Sequence, residues 1–354
     1  MAFASGSGQY LYDEAGQKWL DAGISNALVG HGNAQVTEAV ARQLALIDTT
    51  AGHAHALIER YRGRLLSLFP PPLTVCYFLP SRSEATEMAL RLARAHRPGK
   101  DVIVLPGADY GITTSLTNMS PLRFQARGGS QKHWVHVASR LDAGDVELTA
   151  ANIQASGRGL CGFFAEGVFE PGYLGQAYAE VRKGGGLCVS VESQTGMGRV
   201  GKAMWEFARH TVSPDIVVIG ESIANGFPMA AVVTTPALAA PFGPLFDHRS
   251  LTGSPVACAA ALAVLGVLEQ DYLADHAMQT GKNMRDALRA LSLPVRGSGL
   301  CLEIDVQSGR DVINRLRENQ ILLSARGDTL LFRPPLTFTN EDASTFVEVL
   351  QRCL

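Results

Sequence analysis

Side chains able to do chemistry gather where short apolar runs end. Ser81-Arg82-Ser83 follows TVCYFLP, Asp109 and Tyr110 follow DVIVLPG, and Glu166 closes GLCGFFAE; Glu192 follows GLCVSV, and Glu221 follows DIVVIG in the segment GESIANGFP. Carboxylates brought together in a cleft can work as general acid and general base. An arginine among them can neutralise them or hold an anion through its planar fork of donors. Ser81-Arg82-Ser83 also opens a helical pattern with a capping-box spacing, Ser81-x-x-Glu84, and the first amides of a helix form an anion site. The run Gly196-Met197-Gly198-Arg199-Val200-Gly201 has the outline of a dinucleotide fingerprint, with Asp215 beyond it. Four residues, Glu192 to Thr195, separate it from the preceding apolar run, so it reads as a glycine-rich turn. His53-Ala54-His55 and His133-x-x-His136 have no cysteine or carboxylate partners at ligand spacing, and no metal is expected.

These positions call for a scaffold that aligns the ends of several strands. The apolar runs beginning at Thr74, Asp101, His133, Gly159, Gly186, Asp215 and Ala230 lack polar alternation, as strands covered on both faces do. Amphipathic segments such as Ser83–His96 and Gln176–Gly184 lie between them. Alternating strands and helices imply an α/β fold with a mostly parallel seven-stranded sheet, whose ligands bind at the carboxyl ends of its strands. After Pro255 the pattern changes to one long helical stretch reaching Leu291, then strand and helix signals to the end, which reads as a smaller α+β domain. The expected division is an N-terminal segment, 1–35, packing with the small domain and carrying a hairpin around Glu14-Ala15-Gly16; a large domain, 36–245; and a C-terminal domain, 246–354. The boundary is placed near Gly243 to Ser254.

The chain has 354 residues, 46% of them hydrophobic, enough for a substantial core. Charged residues make up 18% and the formal net charge is −2, which gives no electrostatic reason to expect nucleic acid or an anionic membrane as partner. Six widely spaced cysteines include no CxxC pair and read as buried thiols in a reducing compartment. The opening MAFASGSGQYLYD lacks a signal-peptide pattern, and no apolar run reaches spanning length. The expected location is the cytoplasm.

YLYDEAGQKWLDAG, ALVGHGNAQV, CYFLPSRSEATEMALRLARAH, VESQTGMGRVGKAMWEFARH, VSPDIVVIGESIANGFPMAAVV, SLTGSPVACAAALAVL and LLFRPPLTFT, in this order, resemble the successive blocks of class III (fold type I) aminotransferases. QKHWVHVA and ANGFPMAAVVTTP resemble most the branch of ethanolamine-phosphate phospho-lyases and alanine-glyoxylate aminotransferase-like proteins. The resemblance implies the fold type I architecture, a homodimer with its cleft at the subunit interface, and a pyridoxal-phosphate site.

At the cofactor positions the chain departs from the pattern that the resemblance implies. Glu221 stands where the family has its imine-forming lysine, and Val191 where an aspartate pairs with the pyridine nitrogen. Arg82 stands at the glycine of the phosphate cup, and Asp109 at the aromatic that stacks on the ring. Ser250 keeps the type of a phosphate-binding hydroxyl, and Arg333 matches a position that often holds a substrate carboxylate. The six lysines, Lys18, Lys100, Lys132, Lys183, Lys202 and Lys282, offer no evident substitute. The expectation is therefore a site without a cofactor. Glu221, Asp109 and Glu192 are its catalytic acid–base candidates, and Arg82, Ser83, Tyr110, Glu166, Gln194, Ser250 and Arg333 its ligand-binding candidates. Gln194 also reads, with Arg199, as a supporting residue. Three functional readings follow: a repurposed enzyme acting on a small polar, amine- or amino-acid-like substrate, a non-catalytic partner subunit, or a residual pyridoxal-phosphate enzyme.

Overall fold

The computed structural model describes residues 2–23, 25–49, 53–97, 99–126, 131–242 and 253–354. Its strands are β1 (Phe3–Ser7), β2 (Tyr10–Asp13), β3 (Lys18–Asp21), β4 (Val75–Leu79), β5 (Asp101–Val104), β6 (Val135–Val137), β7 (Leu160–Glu166), β8 (Leu187–Val191), β9 (Ile216–Ile219), β10 (Ala230–Thr234), β11 (Val295–Ser298), β12 (Cys301–Asp305), β13 (Ile321–Leu322), β14 (Ser324–Arg326) and β15 (Thr329–Phe332).

Seven of them form the central sheet in the order β4-β10-β9-β8-β7-β5-β6. The pairings β5–β6, β5–β7, β7–β8 and β8–β9 are parallel, and β10 alone runs antiparallel to both its neighbours. Successive residues of these strands enter two different cores. Ile103, Phe163, Cys188, Val217 and Ala231 belong to one, while Val102, Phe164, Val189, Val218 and Val232 belong to the other. Both faces are buried, which is why these runs show no polar alternation.

The helix Arg82–His96 covers the second face through Ala85, Met88, Ala89 and Leu92. Ser81 caps its start by accepting from the Glu84 amide at 3.3 Å, and the Glu84 carboxylate returns to the Ser81 hydroxyl at 2.9 Å.

The long helical stretch expected after Pro255 is two helices, Pro255–Gln270 and Leu273–Ala290, bent by 62°. The break is at Tyr272, whose φ of 50° is left-handed and ends the first helix. No single helix among the described residues is long and apolar enough to cross a membrane. β13 joins the N-terminal hairpin by pairing parallel with β3. The remaining C-terminal strands form an antiparallel sheet, β11-β12-β15-β14. Most of the expected domain boundary, residues 243–252, lies outside the described residues.

Candidate functional site

Because the parallel strands share a direction, the turns after β4, β5, β7 and β9 lie along one edge of the sheet. That edge carries a connected chain of charges. A Glu221 oxygen accepts the Arg82 backbone amide at 2.9 Å, so a carboxylate occupies the anion position at the start of the helix Arg82–His96. The Arg82 guanidinium donates to Glu166 at 3.2 Å and approaches Asp109 at 3.7 Å. Glu166 uses its other oxygen to accept the Asp109 amide at 3.1 Å. Asp109 is in turn clamped by Arg123, which donates to both carboxylate oxygens at 2.6 and 2.8 Å. Ser83 stands at the same turn and accepts the Ile112 amide at 3.2 Å.

The carboxylates differ in what they have left to offer. Both Asp109 oxygens are engaged by Arg123, and one also accepts the Gly111 amide. The Glu221 carboxylate has a single hydrogen bond among the described residues, which leaves its other oxygen without one there. Each acid sits beside a guanidinium or an amide, so the carboxylates and the arginine singled out from sequence form an alternation of acids and arginines.

Two site candidates point elsewhere. Glu192 is 1% exposed. Its carboxylate accepts from Ser190, Thr195 and the Glu206 and Phe207 amides, capping the turn Glu206–Arg209. Burial pushes its pKa up against those bonds, but it does not join Glu221 and Asp109. Tyr110 is fully buried between the turn and the sheet, with its hydroxyl donating to the Phe164 carbonyl at 2.7 Å.

Gln194 is partly buried and places its backbone carbonyl against the Cys301 thiol at 3.8 Å. Arg199 is a supporting residue, buried with its guanidinium on the Pro334 and Ser25 carbonyls; burial lowers its pKa to about 10. The glycines around it pack closely, with Gly196 against Trp205 and Gly198 against Ala274, and leave no phosphate cradle. Ser250 lies outside the described residues.

Arg333 is 1% exposed and lies behind the cleft, donating to Glu303 at 3.3 Å with its Nε beside the Cys301 sulfur at 3.3 Å. Glu303 also receives Arg140 at 3.1 Å, and Arg140 donates to the Glu166 carbonyl at 2.8 Å. Sequence reasoning did not single out Arg123, Arg140, Glu303 or Arg326. The available signal was polar alternation in CLEIDV, where Cys301, Glu303 and Asp305 face away from the core residues Leu302 and Ile304.

His55 caps a helix, and His136 pairs with Asp101 at 2.7 Å. Among the described residues no group of three or more His, Cys, Asp or Glu side chains could hold a metal.

Residues 129–354 match the family described as Aminotransferase class-III. Over 99% of its length the chain is 34% identical to an alanine–glyoxylate aminotransferase 2-like protein of Drosophila melanogaster, covering 81% of that relative. A phospholyase from Arthrobacter, solved in complex with phosphoethanolamine, superposes with a TM-score of 0.91 at 31% identity, over 99% of this chain and 94% of that one. The ornithine aminotransferase of Toxoplasma gondii, solved with partial occupancy of PLP at its active site, gives a TM-score of 0.88 at 26% identity, over 99% and 89% of the two chains.

These relatives correct the expectation of a site without a cofactor. The family's cleft is a cofactor cleft, PLP occupies it in the Toxoplasma enzyme, and cofactor binding is what membership leads one to expect. Glu221 follows β9 where the resemblance calls for a lysine, and its carboxylate rests on the helix amide. All six lysines are exposed at the surface. The match over residues 129–354, the near full-length identity to the Drosophila protein and the shared architecture place this chain in the class III aminotransferase family, on the fold type I scaffold.

Proposed function

We propose that this protein binds a small amine- or amino-acid-like ligand in the family cleft and acts on it without forming an internal imine on a lysine of its own. The carrying observation is the placement of Glu221: it follows β9, accepts the Arg82 amide, and leaves its other carboxylate oxygen without a hydrogen bond among the described residues. In this reading Glu221 moves the proton, Asp109 is clamped in place by Arg123, and Arg82 with Ser83 orients the ligand. Phosphoethanolamine, the ligand of the Arthrobacter neighbour, is a small amine of this class. The saturated pairing of Asp109 with Arg123 favours a second reading, a non-catalytic subunit whose ion pairs are structural. A homodimer belongs to the first reading, and a reducing compartment fits six cysteines that are all free and buried.

The test is chemical trapping. The protein is saturated with pyridoxal phosphate, reduced with borohydride and digested for peptide mass spectrometry. The expected outcome is no stoichiometric label on any one of the six lysines. A single lysine trapped in full would overturn the reading.

A further inference from the structure

The end of the central sheet away from the cleft carries its own group of charges. The helix Arg82–His96 delivers Arg94 there near its last turn, and the chain then passes Arg97 and Lys100 into Asp101, the first residue of β5. Trp134 immediately precedes β6, and Arg158 lies two residues before β7. Because β5, β6 and β7 are parallel, these residues meet at the amino ends of the strands, whereas Asp109 and Glu166 belong to the carboxyl ends. Arg94, Lys100, Asp101, His133, Trp134 and Arg158 line a recess of about 410 Å³, within the range of small-molecule sites.

The charges of this recess do not balance. Asp101 is the one acid in its lining, and it is already taken. Arg158 donates to its two oxygens at 2.8 and 2.9 Å, and His136 pairs with one of them at 2.7 Å. Arg94 and Lys100 have no hydrogen bond or ion pair among the described residues, and the Nε atoms of Arg94 and Arg97 are buried without partners there. Both arginines lie close enough to the Cys161 thiol to oppose the rise that burial imposes on it. The Arg94 guanidinium sits over the Trp134 ring, 4.5 Å from its centroid, a contact that positions the cation without supplying a counter-ion. The carbonyl end of the helix offers roughly half an elementary negative charge, too little for three cations.

We propose that this recess is a binding site for a phosphate-type oxyanion carrying two or more negative charges, a phosphate monoester or a polyphosphate, held by Arg94 and Lys100 beside the Trp134 indole N–H. Guanidinium, ammonium and indole are donors with no acceptor among them, a set that an anion with several oxygens satisfies. Nothing in this site depends on the ligand of the cleft. The two ligands would not compete, because Asp101 begins β5 and Asp109 lies beyond its other end.

Trp134 makes the site readable. The other two tryptophans, Trp19 and Trp205, are 7% and 1% exposed, while Trp134 is only partly buried. Titrating the intact protein with pyrophosphate at constant ionic strength should give a saturable change in tryptophan emission that disappears in Trp134→Phe. Calorimetry with the same probe supplies the affinity, and inorganic phosphate in its place tells a monoester-like headgroup from a polyphosphate by which binds tighter. Arg94→Gln and Lys100→Gln should each weaken binding about tenfold, the scale of a charge-assisted hydrogen bond. Lys100 is exposed, so its variant tests the site even where Arg94→Gln disturbs the packing on Trp134. Three results overturn the site: no saturable change with either anion, an affinity that Lys100→Gln leaves unchanged, or an affinity lost in Arg82→Gln instead, which would put the anion in the cleft.

Discussion

The acid–arginine alternation makes the cleft's residues behave differently from isolated carboxylates. Burial alone would raise the pKa of Glu303, but Arg140, Arg333, Arg326 and Arg296 outweigh it and hold the acid below its ordinary range. An acid whose folded-state pKa is depressed stabilises the native state above its unfolded value, about 4.3. That contribution is lost as pH falls through the lower folded value. Glu303→Gln should therefore melt below wild type near neutrality, and the gap should close as pH falls below about 4.3. A gap constant with pH would show that Glu303 acts through packing and not through charge. At this scale Glu221, Asp109, Arg82 and Glu166 were legible because each directly follows an apolar run. Their partners Arg123 and Arg140 were not, since they come from segments whose approach is set by sheet order. Glu192 misled because strand-end position does not specify direction: its side chain turns back to cap the Glu206 turn, whose buried amides need an acceptor.

The element that presents Glu221 is a single turn, Glu221–Ala224, ended by Asn225 in the left-handed region at φ 55°. Asn225 ties this turn to the N-terminal segment, accepting the Val29 amide and donating to the Gly30 carbonyl, both at 2.9 Å. Asn225→Ala loses both bonds and also strains the backbone, for about 2–4 kcal/mol in all. Asn225→Gly loses the bonds but accepts the φ, and should cost about 1 kcal/mol less. Urea denaturation of the two variants measures the difference, and equal losses would mean that the conformation at 225 carries no strain. The strand runs of the central sheet could be read from sequence because burial on both faces imposes continuous apolarity. The break at Tyr272 could not, because the residues on either side keep helical spacing and the interruption is one backbone angle.

For the whole molecule, the homodimer is the reading that sedimentation should bear out, with a particle of about twice 37.8 kDa. At the end of the helix Ala34–Leu46 and just beyond it, Leu44, Leu46 and Ile47 are exposed, apolar side chains of a kind that association covers. A monomer at micromolar concentration would sink the homodimer, and stable co-purification with a different chain would move the reading to the partner-subunit alternative. The general architecture was legible because alternating buried strands and amphipathic helices admit few arrangements. The pairing of β3 with β13, some 300 residues apart along the chain, was not, because nothing local to a two-residue strand names its neighbour.

The six thiols lie in all three hydrophobic clusters of the fold. Burial holds Cys76, Cys161 and Cys258 up at about 12, so in the native state they are shielded both by packing and by protonation. Maleimide or pyridyl-disulfide chemistry on this protein is then a clock for opening. Cys161 times exposure of one face of the central sheet, Cys76 and Cys258 the other, and Cys301 the contact behind the cleft. Labelling each position over time would rank the order in which these layers come apart, without any engineered probe.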